Sequence, residues 1–121
     1  MIGVGVDLVD VERMRTALAR TPTLAARLFT PEERAYATEA SDPAERFAAR
    51  FAAKEAVLKV LGVGLGAADW HDIEVRRAPS GAPSVHLAGR ALALADAAGI
   101  TTWHLSLSHT ADLAEAIALA E

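Results

Sequence analysis

Three groups of polar residues interrupt apolar surroundings, and each has a chemistry that it could serve. Asp7 stands inside the run Ile2-Gly3-Val4-Gly5-Val6-Asp7-Leu8. A carboxylate buried there without a partner is costly, so it calls for a cation, a hydrogen-bond network or water. An Asp facing solvent from an edge strand is the alternative. Gly3 and Gly5 share its face and would leave room for a ligand or a second backbone. The second group is Arg46-Phe47-Ala48-Ala49-Arg50-Phe51-Ala52-Ala53-Lys54-Glu55-Ala56-Val57-Leu58-Lys59. On a helix Glu55 shares a face with Lys59, and Arg50 with Lys54. Such pairs commonly decorate a surface. A carboxylate beside three cations is equally the composition expected around a metal–diphosphate, where Mg²⁺ and Lys or Arg share the phosphate charge.

The third group, Ser106-Leu107-Ser108-His109, closes a strand pattern. Neighbouring Ser and His invite a hydrolase reading, but adjacent strand residues point apart and no G-x-S-x-G elbow is present. His109 suits a phosphate ligand or proton shuttle, with a structural turn histidine as the alternative. The glycines at 62, 64 and 66 follow a helix instead of leading a strand into one, which makes them weak signs of a phosphate loop. His71, His86 and His104 form no recognisable metal spacing.

These residues need elements to hold them. Ile2–Leu8 reads as a strand, with Val4, Val6 and Leu8 opposite Gly3, Gly5 and Asp7. Asp10 can cap a helix reaching Arg20. Thr30-Pro31-Glu32-Glu33 and Asp42-Pro43-Ala44-Glu45 carry strong helix-start grammar, and the second opens the longest helix, ending at Leu61 before Gly62. Strands are expected at 72–77 and 84–87, joined as a hairpin through Pro79-Ser80-Gly81, then a helix over 88–98 and a strand over 102–108. The tail 113–121 has helical propensity, but its alternation favours a strand paired back on 102–108. The order is β-α-α-α-β-β-α-β-β, an α+β fold with a small antiparallel sheet on a long helix.

The 121 residues suit a single domain over the whole chain, large enough to fold without disulfides or zinc. The absence of Cys excludes thiolate metal sites and a cysteine nucleophile. With a net charge of −4, composition gives no reason to expect nucleic-acid binding. No apolar run approaches the roughly 20 residues of a membrane span, and the N-terminus does not read as a signal peptide, so a soluble, cytoplasmic protein is expected. Alanine supplies much of the apolar content and buries little area per residue, which makes oligomerisation a reasonable expectation. Residues 13–34 carry five arginines against Glu32 and Glu33. That run is either a solvated helix face or a docking surface for an acidic partner.

Across the whole chain these groups resemble the holo-[acyl-carrier-protein] synthase family, the small single-domain 4′-phosphopantetheinyl transferases. Gly3-Val4-Gly5-Val6-Asp7 looks like the family's opening strand. Arg50-Phe51-Ala52-Ala53-Lys54-Glu55-Ala56, with Lys59 and Leu61-Gly62, is similar to its signature helix, and Ser106-Leu107-Ser108-His109 to its closing strand. The resemblance implies a 4′-phosphopantetheinyl transferase fold. It also implies transfer of the phosphopantetheine arm of coenzyme A to a serine of an acidic acyl carrier protein of fatty-acid or polyketide synthesis, releasing adenosine 3′,5′-bisphosphate.

It further implies Mg²⁺ held by Asp7 and Glu55, with Mn²⁺ also accommodated by oxygen ligands. Lys59 would neutralise a phosphate oxygen. Arg50, Lys54, Gly62, Ser108 and His109 would hold the coenzyme, and Glu55 or a water on the cation would take the serine proton. Some relatives place an acid after the closing His, where this chain has Thr110. Arg13 and Arg20 align with the docking helix for the carrier. A homotrimer with sites at subunit boundaries is implied as well. A coenzyme-binding module without transferase activity, or a purely structural oligomer, would leave the paired carboxylates unexplained.

Overall fold

Alanine decides how the elements meet. In the computed structural model, which describes residues 2–64 and 66–121, strand β1 (Gly3–Asp10) is followed by four helices, α1 (Val11–Arg20), α2 (Leu24–Leu28), α3 (Pro31–Thr38) and α4 (Pro43–Leu61). A 3-10 turn (Trp70–Asp72) leads into β2 (Ile73–Arg77) and β3 (Pro83–Leu87), then α5 (Gly89–Ala97), β4 (Trp103–His109) and β5 (Leu113–Ala120). The β2–β3 pair forms its own antiparallel hairpin. A second antiparallel sheet runs β1-β5-β4, with the tail strand in its middle. The fold is therefore α+β as the sequence predicts, with the expected small sheet divided into two.

The helix starts follow their local chemistry. Asp10 accepts from Arg13 N at 2.9 Å, and Thr30 and Glu33 close a reciprocal capping box before Pro31. Helix α4 ends where predicted: Gly62 adopts φ +70°, and its N–H reaches the carbonyls of Leu58 and Lys59. Helix α2 is the element missing from the sequence-based order. Thr23 makes no side-chain cap there, so no start signal marks it; the helix is held by packing, with Leu28 and Phe29 buried.

The alternation of β1 and β5 is as expected, and the larger apolar side chains are on the outward face. Val4, Val6 and Leu8 are 58%, 49% and 60% exposed, and Leu113 and Ile117 also face outward. The inner face carries Gly5, fully buried Ala114, Ala116, Ala118 and Ala120, and the partly buried Trp103, Leu105 and Leu107. Helix α4 lies on this small-residue face with its own buried Ala52, Ala53 and Ala56. The approach is so close that a Cβ on Gly5 would stand 2.1 Å from the Ala56 carbonyl oxygen. Small residues on both surfaces thus bring the helix against the strand that carries Asp7.

Candidate active site

Asp7 projects from the inner face of β1, in one row with Ala116 and Leu107, and its side chain is 12% exposed. Lys59, in the last turn of α4, donates to Asp7 Oδ1 at 3.0 Å and to the Val6 carbonyl at 2.7 Å. Glu55 stands one helical turn earlier. Burial raises its pKa first and the negative charge of Asp7 raises it further, while Lys59 pulls the other way. The structure therefore brings together Asp7, Glu55 and Lys59 from positions more than forty residues apart in sequence.

Two mutually repelling carboxylates and one ammonium form an incomplete cage. Among the described residues no group of three or more His, Cys, Asp or Glu surrounds a point. This donor set fits Mg²⁺, which keeps several waters and takes one or two carboxylates together with substrate phosphates. A divalent cation would also offset the repulsion that raises Glu55.

Glu55 further lines an apolar groove of about 430 Å³ built from β1, α1 and α2, with Leu8, Met14, Leu24, Leu28 and Phe51 along its walls. Arg13 lines the same groove, and with Arg20 it lines a shallower depression along α1. Arg15 is engaged elsewhere, bridging Glu12 and, at 2.5 Å, Asp42 at the start of α4. Of these three arginines of α1, Arg15 is thus structural, Arg13 borders the groove that contains Glu55, and Arg20 borders the depression beside it. The groove itself was missed by sequence reasoning, because α2 carries no helix signal.

A second cavity, of about 490 Å³, opens at the other end of α4, where Arg46, Arg50 and His109 line it with Tyr36 and Arg77. Arg50 is 4% exposed and its Nε has no hydrogen-bond partner among the described residues. Burial, the largest influence, lowers the Arg50 pKa. His109 Nε2 lies 3.4 Å from Glu45 Oε2. Tyr36, Arg46 and Arg77 were not singled out from sequence; an arginine just before the Pro79-Ser80-Gly81 turn was the available signal for Arg77.

Three residues expected to contact the coenzyme lie outside both cavities. Lys54 does not face either cavity. Its ammonium is wholly buried, paired with Glu33 Oε1 at 2.8 Å, and donates to the carbonyls of Trp70 at 2.8 Å and Ile73 at 2.5 Å. All three of its protons are spent inside the protein, because residue 54 turns toward α3 and β2 while residue 55 turns toward β1. Ser108 on β4 pairs with Glu115 of β5 on the outer face, so its side chain points away from the face that carries His109. Gly62 is accounted for by its cap on α4 and lines neither cavity.

The known proteins that this chain is similar to agree with this architecture. Residues 3–118 match the 4′-phosphopantetheinyl transferase superfamily. A holo-[acyl-carrier-protein] synthase of Beutenbergia cavernae is 55% identical over 121 residues, covering 100% of this chain and 98% of that protein. The crystal structure of the Neisseria meningitidis holo-[acyl-carrier-protein] synthase superposes with a TM-score of 0.88 at 34% identity, covering 100% of this chain and 99% of that one. The Helicobacter pylori enzyme in complex with coenzyme A gives 0.86 at 28% identity, over 98% and 99%.

An α+β protein with an acid–lysine cluster between its first strand and its long helix is thus placed in a class of group-transfer enzymes. The chain belongs to the 4′-phosphopantetheinyl transferase superfamily, within its holo-[acyl-carrier-protein] synthase family.

Proposed function

We propose that this protein transfers the 4′-phosphopantetheine arm of coenzyme A to a serine hydroxyl of an acidic apo carrier protein of fatty-acid or polyketide synthesis, and releases adenosine 3′,5′-bisphosphate. The observation that carries this reading is the Asp7–Lys59 contact at 3.0 Å with Glu55 within reach of the Asp7 charge. Asp7 and Glu55 would hold Mg²⁺, which when bound supplies charge neutralisation at the diphosphate. The relatives in complex with coenzyme A support the choice of co-substrate.

The chain's own residues then act by position. The serine oxygen attacks the phosphorus that bears pantetheine, and the bond to the bridging oxygen breaks, its electron pair leaving with the bisphosphate. Lys59 offsets negative charge on the phosphates. Glu55, or a water on the cation, takes the serine proton. Arg50 and His109 hold phosphate of the adenosine portion, and Arg13 and Arg20 guide an acidic carrier toward the groove that ends at Glu55.

The two halves of this machinery occupy different faces of α4. Arg50 and Glu55 are five residues apart, about 140° around the helix, and Glu45 beside His109 lies about 15 Å along it from Glu55. One coenzyme would reach both halves most simply across a boundary between copies. The exposed apolar face of Val4, Val6, Leu8 and Ile117 is the reverse side of the sheet whose inner face carries Asp7, and it offers the surface for such a boundary. We therefore include a homotrimer with shared sites in the proposal. Among the described residues no helix is long and apolar enough to cross a membrane, and the reaction is assigned to the cytoplasm.

The test is to incubate the protein with coenzyme A, Mg²⁺ and an apo carrier and weigh the carrier. A gain equal to the phosphopantetheine arm, dependent on Mg²⁺, is expected; no gain with several apo carriers would overturn the reading.

A further inference from the structure

The cavity at the N-terminal half of α4 concentrates more positive charge than Arg50 and His109 supply. Around the single ring of Tyr36 stand the guanidinium groups of Arg46, Arg50 and Arg77, at 4.0, 4.1 and 4.8 Å from its centroid. Each contact is favourable alone. Together they hold three like charges around one ring, with the buried Arg50 the least screened by solvent.

The neighbouring carboxylates do not neutralise this group. Glu45 faces His109, Asp42 binds Arg15, and Glu39 reaches only Arg46, at 3.8 Å. Neither Arg50 nor Arg77 has a carboxylate within ion-pair distance among the described residues. A buried guanidinium with an unpartnered Nε, lining a cavity with two further arginines, points to an anionic occupant.

Arg77 is aimed there by two hydrogen bonds. Its Nη1 donates to the Tyr36 hydroxyl at 2.8 Å and its Nε to the Gly81 carbonyl at 3.4 Å. A side chain at Gly81, which adopts φ +91°, would stand 3.0 Å from Nη2. Tyr36 thus fixes Arg77 through its hydroxyl and Arg50 through its ring face.

We propose that Arg77 is a direct ligand, and Tyr36 a positioning residue, for a phosphate monoester on the ribose of the bound coenzyme. The two residues then set the preference for coenzyme A over its 3′-dephospho form. The inference rests on the coenzyme reading above. Its chemical logic is a division of charges. The diphosphate goes to the carboxylate–lysine half, where a divalent cation can bridge its oxygens. The dianionic monoester goes to planar guanidinium forks, which match its geometry.

The test measures carrier modification with coenzyme A and with 3′-dephospho-coenzyme A as a ratio of kcat/KM. The wild-type ratio should be large. Arg77→Gln should cut it about tenfold, the scale of one charge-assisted contact. Tyr36→Phe, which keeps the ring and loses only the hydroxyl that holds Arg77, should cut it a few-fold. Activity with the dephospho form should fall by much less than activity with coenzyme A in both variants.

Arg76→Gln, at the neighbouring arginine paired with Glu74, should leave the ratio intact. Calorimetric binding of adenosine 3′,5′-bisphosphate against adenosine 5′-monophosphate, without carrier, should show the same pattern. Equal losses on both substrates would mark Arg77 as merely structural and overturn the inference, as would a wild-type enzyme that uses both forms equally well. A wild-type protein that modifies no carrier with either form overturns the transfer reading instead. The nucleotide titration then still decides the assignment of Arg77.

Discussion

Lys59 Nζ lies 3.0 Å from Asp7 Oδ1 and 2.7 Å from the Val6 carbonyl, so a single ammonium joins the last turn of α4 to the middle of β1. Lys59 is 55% exposed, and a half-exposed pair of this kind adds little to stability. Its consequence is positional: Asp7 is held facing Glu55 while the neighbouring Val6 and Leu8 point outward. Asp7→Asn keeps the shape and removes the charge. It should lower Mg²⁺-dependent carrier modification by at least about 100-fold, the upper range of what even outer-sphere partners of a metal cost. Its melting temperature should stay within a few degrees of wild type. Substantial turnover in Asp7→Asn would remove this residue from the cation site.

Glu55 gives a pH signature. Its carboxyl holds its proton more tightly in the folded protein, first through burial and then through the Asp7 charge. Ionising such a group costs stability. The cost is absent below the unfolded pKa, about 4.3, grows as pH rises through the raised folded value, and is complete above it. Metal-free Glu55→Gln should therefore melt higher than wild type at neutral pH, and the gap should close on acidification. Thermal melts in chelator across the acid range will check this. Added Mg²⁺ should stabilise wild type and leave Glu55→Gln unmoved.

Lys54 and Glu33 form a buried junction among α3, α4 and β2. Glu33 also accepts from Thr30 N at 2.8 Å and from Val75 N at 2.9 Å. Lys54→Met strands a buried carboxylate and should cost about 3–5 kcal/mol. The double variant Lys54→Met with Glu33→Leu should recover only part of that loss in a denaturation cycle, because Thr30 N and Val75 N then lose their acceptor. Where Lys54→Met still folds, its KM for coenzyme A should match wild type, because no phosphate reaches residue 54. A selective rise in that KM would restore Lys54 to the binding site.

What was legible in the sequence depended on whether the signal was local. Capping residues at Asp10, Thr30 and Asp42, and the stop at Gly62, are chemistry within one turn, and they placed the long helices. The pairing of Asp7 with Glu55 was expected from the family resemblance, while Gly3 and Gly5 showed only that something could come close on the Asp7 face. That this something is α4 was not legible. Alternation tells that two faces differ, but not which one meets the helix, and here the small face does. Lys54 misled for a related reason. The spacing of Arg50 and Lys54 predicts a shared side of α4, yet only the packing of α3 decides that Lys54 is buried against Glu33. Tyr36 gathers arginines from α4 and β2, a tertiary coincidence with no local mark.

Arg13 lines the groove whose far wall includes Glu55, whereas Arg15 is consumed by Glu12 and Asp42. An acidic carrier would meet the first and not the second. Arg13→Glu should raise the KM for carrier about tenfold or more and leave that for coenzyme A nearly unchanged, with the wild-type carrier KM rising with salt. Initial rates with each substrate varied in turn provide the check. Equal changes in both KM values would refute a docking role.

The separation of the acid and arginine halves on α4 predicts complementation between inactive variants. Asp7→Asn lacks a working acid half, and Arg50→Ala lacks a working arginine half; each alone should be nearly inactive. If one site draws its halves from two protomers, subunit exchange in an equal mixture leaves about a quarter of the boundaries with both halves intact, and activity should return to that extent. Sites contained within one protomer would give a mixture as inactive as its components. Ile117→Glu supplies the control. It sets a charge beside Val6 on the exposed apolar sheet face, away from both halves. Such a change should leave the far-ultraviolet spectrum intact, lower the mass in solution to that of a single chain, and abolish the complementation. A variant that stayed assembled would move the boundary to another surface, and one that turned over as a single chain would end the shared-site scheme.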